Sequence, residues 1–200
     1  MKKNIVFLLM MCSMMSVYAQ QKEIYHSGKI ESVMLHSKYF DFPRKVDIYI
    51  PLSHSADWAQ DYDVFYVMDG QNVKFPYMTK AVNLFNSSFW TFYYIIVAIE
   101  SPFSLEMMYT RNKDFLPDDS LTMKECRGMA GNSLNLACFI KEELKPYIHS
   151  HYHTSGYELG IGHSLGASFL LENTCLGDLF NNIIAVSPNF SYGNRRLAKI

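Results

Sequence analysis

The pentapeptide Gly162-His-Ser-Leu-Gly166 stands between an apolar run ending at Ile161 and a helical pattern beginning near Leu165. No other stretch of the chain restricts the fold so tightly. G-x-S-x-G in a strand–turn–helix setting is a nucleophile elbow, a turn so sharp that its central residue is strained. Only glycine at the flanking positions 162 and 166 avoids colliding with its neighbours in such a turn. The elbow, with His163 between the first glycine and the serine, therefore predicts a Ser164 hydroxyl lifted above the end of a sheet. The Leu165 N–H, in the first turn of the next helix, would point toward a developing oxyanion.

The rest of the chain supplies a sheet for that elbow. Arg44–Ile50 alternates polar and apolar residues, which predicts a strand with one wet face, stopped by Pro51. Asp63–Met68, Phe92–Ile99, Tyr157–Ile161 and Asn182–Val186 are continuous β-branched or aromatic runs, as expected of parallel strands buried on both faces. Ala137, Ile140, Leu144 and Tyr147/Ile148 recur at helical spacing, and a second helix is predicted from Leu165 to about Leu176. The order implies an α/β fold with a mostly parallel central sheet and helices on both faces. Ligands bind such sheets beyond the carboxyl ends of the strands.

At the N-terminus, Lys2-Lys3, the apolar run from Ile5 and the exit Val17-Tyr18-Ala19 predict a secretory signal peptide over 1–19, cleaved after Ala19. The run is too short for a membrane span. The expected location is therefore periplasmic or secreted, with residues 20–200 as one domain. Loss of Lys2 and Lys3 leaves 16 basic against 19 acidic residues, a net charge of −3, which makes nucleic acid an unsuitable partner. Cys126, Cys138 and Cys175 form no disulfide framework and are expected as small core residues.

Several ordered motifs resemble one family, the putative esterases that include enterochelin esterases, feruloyl esterase domains and S-formylglutathione hydrolases. The resemblance covers about Ile30 to Tyr192. It rests on Arg44-Lys-Val-Asp-Ile-Tyr-Ile-Pro51, Phe65-Tyr-Val-Met-Asp-Gly70, Arg111-Asn-Lys-Asp-Phe-Leu-Pro117, Phe139–Ile148, the elbow and Ala185-Val-Ser-Pro188. It implies an α/β-hydrolase fold and a small-molecule ester as substrate, with no cofactor and no metal. It also implies Ser164 as nucleophile, the amides of Leu165 and Gln71 as oxyanion hole, and Arg111 as an anion contact for substrate or oxyanion.

One element of that chemistry is missing. In this fold the triad runs Ser, then Asp/Glu, then His, yet all seven histidines (26, 36, 54, 149, 151, 153, 163) lie before Ser164. Only Glu172 and Asp178 are acidic beyond it. A hydroxyl without an adjacent base is a weak nucleophile. His149, His151 and His153 precede the elbow strand and should sit at its far end, about 15–20 Å away over five residues. The expectation is a serine esterase with impaired turnover. Its alternatives are a non-catalytic module that binds a siderophore-like or glycan ester, and a C-terminally incomplete esterase lacking its last strands. The uncharged strand Asn182–Val186, otherwise an open edge, favours the last.

Other clusters read as structure. His149-x-His151-x-His153 has a spacing that can bind zinc, but a solvated helix-to-strand connection is the simpler reading, since no Cys or carboxylate joins it. Asp69-Gly70 reads as turn chemistry. Arg111 and Asp114 read equally as a loop-ordering ion pair or as a substrate contact, and Asp118-Asp119 as a solvated turn. The aromatic stretch Phe89–Tyr94 reads as sheet core.

Overall fold

The structure is a computed structural model that describes residues 28–51, 61–71, 77–81, 94–104, 109–118, 131–175, 177–191 and 193–199. The signal sequence, Cys126, His26, His54, Asp119 and residues 89–93 of the aromatic stretch lie outside the described residues.

Among the described residues six strands form one sheet in the order β1-β2-β4-β3-β5-β6. They are β1 (Gly28–Leu35), β2 (Arg44–Pro51), β3 (Tyr62–Met68), β4 (Tyr94–Ile99), β5 (Thr154–His163) and β6 (Asn182–Val186). β1 and β2 are antiparallel to each other, as are β2 and β4, while β4, β3, β5 and β6 run parallel. The alternating stretch at the start thus joins a parallel block that carries the elbow, as the sequence implied. β5 is twice its expected length and starts at Thr154. β1, which no sequence pattern marked, exposes Ile30 and Met34.

The helices follow the apolar stripe. α1 is Arg111–Phe115, α2 is Ser133–Phe139 and α3 is Lys145–His151; α2 and α3 are joined by a π-helical turn at Ile140–Leu144. Pro146 has no N–H to donate back along the helix, and the wider π turn stands directly before it. Leu136, Phe139, Ile140, Leu144 and Ile148 are fully buried along this helix. With Phe169 and Leu170 of α4 (Leu165–Cys175), they pack on Val64, Tyr66, Met68, Ile95 and Val97. Each such side chain contributes about 1.5–3 kcal/mol. On the opposite face Met78, in the helical turn 77–81, packs against a smaller cluster of Tyr49, Val67, Ile96 and Ala98.

Three expectations need correction. β2 is less wet than its alternation implied: only Lys45 and Asp47 are half-buried, whereas Arg44 is buried in an ion pair and Tyr49 in the opposite-face cluster. β6, expected to be buried on both faces, exposes Asn182, Ile184 and Val186, and among the described strands β5 is its one neighbour. Cys175 is exposed at the end of α4 and Cys138 is half-buried, so neither is a core residue.

Candidate active site

Ser164 sits at the tip of β5 with φ 58°. The left-handed region costs a non-glycine residue about 1–2 kcal/mol, so the surroundings must hold it there. Its N–H donates to the Val186 carbonyl at 3.0 Å, and its own carbonyl accepts the N–H groups of Ser168 (3.1 Å) and Asn189 (3.4 Å). The buried Ser168 hydroxyl lies 2.7 Å from the Asn189 carbonyl and 3.1 Å from that of Ser164. β5, β6 and the first turn of α4 thus clamp the strained residue from three sides. A Cβ on Gly162 would fall 2.6 Å from the Gly166 backbone, and one on Gly166 would lie 3.2 Å from the Met68 Cβ. Both elbow glycines are there because neighbouring atoms come close, Gly162 the more strictly.

Ser164 is half-buried, and its hydroxyl makes no hydrogen bond to a described residue. Leu165 opens α4, where a first-turn N–H has no partner within the helix. Gln71 follows the turn that closes β3, and its Oε1 accepts the Ser101 N–H at 3.0 Å, which anchors the loop. Among the described residues neither the Leu165 nor the Gln71 N–H donates a hydrogen bond. The closeness of Gly166 to Met68 and Asp69 brings the first turn of α4 against the end of β3. Both amides therefore lie at the same end of the sheet as Ser164.

Arg111 and Asp69 complete this end. Arg111 donates from Nε to Asp69 Oδ1 at 2.6 Å and from Nη2 to Oδ2 at 2.8 Å. Nη2 also donates to the His163 carbonyl at 3.1 Å, within the elbow itself. The Asp69 side chain is fully buried at φ 61°, whereas that of Arg111 is 30% exposed. Asp69, read from sequence as turn chemistry, is thus the counter-ion of Arg111. The Arg111–Asp114 pair does not form. Asp114 is instead enclosed with Arg44, which donates to both carboxylate oxygens at 2.8 Å and to the Glu100 carbonyl at 2.9 Å. Tyr109 donates to the same carboxylate at 2.5 Å, and burial first, then the Asp114 charge, push its phenol well above the usual range. The one-turn helix α1 therefore ties β3 through Arg111 and β2 through Asp114.

Four of the described histidines, His36, His149, His151 and His153, stand apart from Ser164. His149 and His151 close α3 and His153 precedes β5, which spans ten residues and puts them about 30 Å from Ser164. His149 contacts Thr154 and Glu158, and His151 stacks on Tyr147 at 4.0 Å. These are the contacts of a helix-to-strand connection. His36 follows β1, four strands from β5, or about 19 Å across the sheet. The His163 side chain is exposed and lines a cavity on the face of the sheet away from α4.

A family profile described as Putative esterase matches residues 37–194. No curated protein matches the chain. Among solved structures the fold is similar to the siderophore hydrolase EstA from Aspergillus nidulans, with TM-score 0.69 and 21% identity over 86% of this chain and 62% of that one. The BES protein from Bacillus cereus matches with TM-score 0.68 and 26% identity over 85% of this chain and 65% of its own. The enterobactin and salmochelin hydrolase IroE matches with TM-score 0.65 and 20% identity, over 87% and 68% of the two chains. The chain spans less than two thirds of the length of the first two.

Proposed function

Because the chain belongs to the putative esterase family and has the α/β-hydrolase fold, we propose that it acts on carboxylic esters of small molecules through Ser164. The observation that carries this reading is the left-handed backbone of Ser164, held in an elbow whose first glycine, Gly162, leaves no room for a side chain. In this reading the Ser164 Oγ attacks the ester carbonyl, its proton passes to a base, and the carbonyl oxygen becomes an oxyanion. The Leu165 and Gln71 N–H groups donate to that oxyanion. The tetrahedral intermediate collapses with loss of the alcohol, and water then hydrolyses the acyl-enzyme.

Arg111 serves as the positioning residue of this end of the sheet. Its link to the His163 carbonyl fixes the elbow, and its Nη1 makes no hydrogen bond among the described residues. That edge is available to a polar group of the substrate. Among the described residues no imidazole hydrogen-bonds the Ser164 hydroxyl, so turnover by the 200-residue chain is expected to be slow. Oxyanion hole and binding alone sustain about 10³–10⁴-fold catalysis over water. The enterobactin and salmochelin substrates named for IroE make a siderophore ester one candidate substrate.

The deciding experiment is hydrolysis of 4-nitrophenyl acetate by the 200-residue chain and by Ser164→Ala. A small rate that Ser164→Ala removes is expected. That difference should grow with the concentration of free imidazole, which can act as the base. Equal rates for the two chains at every imidazole concentration would overturn the proposal.

A further inference from the structure

The loop between β1 and β2, the helix α1 and the start of α2 enclose a cavity of about 600 Å³. Tyr39 and Phe42 line it from the loop, Tyr109 and Lys113 from α1 and its entry, and Asn132 and Asn135 from the start of α2. Lys113 lies two residues beyond Arg111, about 200° around the helix, so the cavity stands on the side of α1 away from the elbow. Neither Ser164 nor Arg111 is part of its wall. That wall is fixed in place. A Cβ on Gly131 would fall 1.6 Å from the Leu116 carbonyl oxygen, so glycine lets the chain before α2 lie on the end of α1. There the Asn132 N–H donates to the Lys113 carbonyl at 2.5 Å, and the Ser133 N–H to the Leu116 carbonyl at 3.1 Å. The loop is tied to the same helical segment. Asn135 Nδ2 donates to the Tyr39 carbonyl at 3.1 Å, and Lys38 donates from Nζ to Glu142 at 2.8 Å and from its N–H to Glu143 at 3.1 Å.

The groups left over define what fits. Among the described residues the Asn132 side chain, Asn135 Oδ1 and the Asp41 and Asp118 carboxylates of the wall have no hydrogen-bond partner. Lys113 Nζ faces only the Tyr109 ring, at 5.7 Å from its centre. With Lys38 paired to Glu142, one free ammonium stands against two free carboxylates, which disfavours an anion. A simple cation would leave the Asn132 and Lys113 donors unpartnered. A hydroxyl both donates and accepts, so the neighbouring hydroxyls of a sugar match this mixture. Tyr39 and Phe42 are half-buried, and their remaining ring surface suits the apolar C–H face of a pyranose. We infer that this cavity is a second ligand site, separate from Ser164, and that it binds a short neutral oligosaccharide. On a scale where about 150 Å³ holds benzene, it has room for about two or three sugar rings. Small-molecule sites are usually preformed clefts of about 300–1,000 Å³, and walls already tied together cost little to order on binding.

The test is binding, not turnover. Cellotriose, maltotriose and xylotriose are titrated separately into the chain, and the side-chain amide signals of Asn132 and Asn135 are followed by two-dimensional proton–nitrogen NMR. At least one sugar is expected to shift both signals saturably, whereas inorganic phosphate should shift neither. The Asn132 side chain makes no capping hydrogen bond, so Asn132→Ala should keep the fold. Read from the Asn135 signal, it should weaken that sugar by about fivefold to tenfold, the effect of one lost hydrogen bond. Lys113→Met should do the same. Ile184→Asp, at an exposed position on the edge strand β6, should leave the affinity unchanged. The assignment is overturned if none of the three sugars shifts the two signals, if phosphate shifts them, or if Asn132→Ala and Lys113→Met bind as the parent does. Hydrolysis indifferent to Ser164→Ala would bear on the nucleophile alone, so the two readings stand or fall separately.

Discussion

Arg111 grips Asp69 through two hydrogen bonds of 2.6 and 2.8 Å, and with the same guanidinium holds the carbonyl of the residue before Ser164. The two partners are unequally buried, Asp69 completely and Arg111 with 30% of its side chain exposed. Removing the arginine therefore takes two hydrogen bonds from a buried carboxylate, whereas neutralising the aspartate leaves a guanidinium that can turn to water. Arg111→Met is expected to cost about 1–3 kcal/mol, the range for leaving a buried acceptor short of its hydrogen bonds. Asp69→Asn should cost visibly less. Urea unfolding of both variants decides it, and equal midpoints would show that the pair is not buried as described.

The elbow glycines should respond unequally as well. A Cβ on Gly162 would fall 2.6 Å from the backbone of Gly166 and 2.8 Å from that of Ala167, and neither can move without unseating α4. On Gly166 the nearest atoms lie at 3.2 and 3.4 Å, and alanine gains about 0.5–1 kcal/mol over glycine within a helix. Gly162→Ala is expected to abolish soluble folded protein or to cost more than about 3 kcal/mol, beyond the usual range for a point change. Gly166→Ala should stay within about 1 kcal/mol of the parent. Thermal unfolding followed by circular dichroism measures both.

What was legible in the sequence was local. The elbow could be read because its glycines and serine fall within five residues, β3 and β4 because their apolar runs are continuous, and α4 because it starts directly after the elbow strand. The Arg111–Asp69 pair could not, since 42 residues separate the partners and Asp114, three residues from Arg111, was the obvious rival. Asp114 in turn belongs to Arg44, 70 residues away, whose place in an alternating strand disguised it as a wet-face residue. β1 escaped notice because its pairing with β2 is satisfied by backbone hydrogen bonds while Ile30 and Met34 remain exposed. The cavity beside the elbow also depends on tertiary placement, drawing Val67, Met78 and Val186 from three separate segments.

Alkaline pH should loosen the fold through Tyr66. This phenol is fully buried and donates to Glu158 Oε1 at 3.1 Å, and Lys145 and His149 contact the same carboxylate. Burial, and then the Glu158 charge, raise its pKa well above 10.0. The folded chain thus keeps a proton that the unfolded chain loses above about pH 10, so this contribution is complete below pH 10 and is lost as pH rises. One such group gives a fall of about 1.4 kcal/mol per pH unit. Tyr66→Phe should be less stable than the parent near neutrality, by about 1.5–3 kcal/mol for a bond to a charged group. Its stability should also fall less steeply between pH 10 and 11. Parallel slopes in urea titrations at those pH values would exclude Tyr66 as the source.

Ser164 itself offers the sharpest contrast between stability and activity. Its φ of 58° is a conformation that glycine adopts freely and serine does not. Ser164→Gly should relieve about 1–2 kcal/mol of backbone strain. Part of that gain is offset by about 0.5–1 kcal/mol from the more flexible unfolded chain. A net gain of about 1 kcal/mol is expected, together with complete loss of Ser164-dependent ester hydrolysis. Ser164→Ala keeps a Cβ, hence the strain, and should lose the same activity with little change in stability. The two variants therefore separate the cost of the backbone from the role of the hydroxyl. If Ser164→Gly unfolds earlier than Ser164→Ala in urea, the elbow is not strained at this residue, and the clamp formed by Val186, Ser168 and Asn189 holds a conformation that serine already prefers.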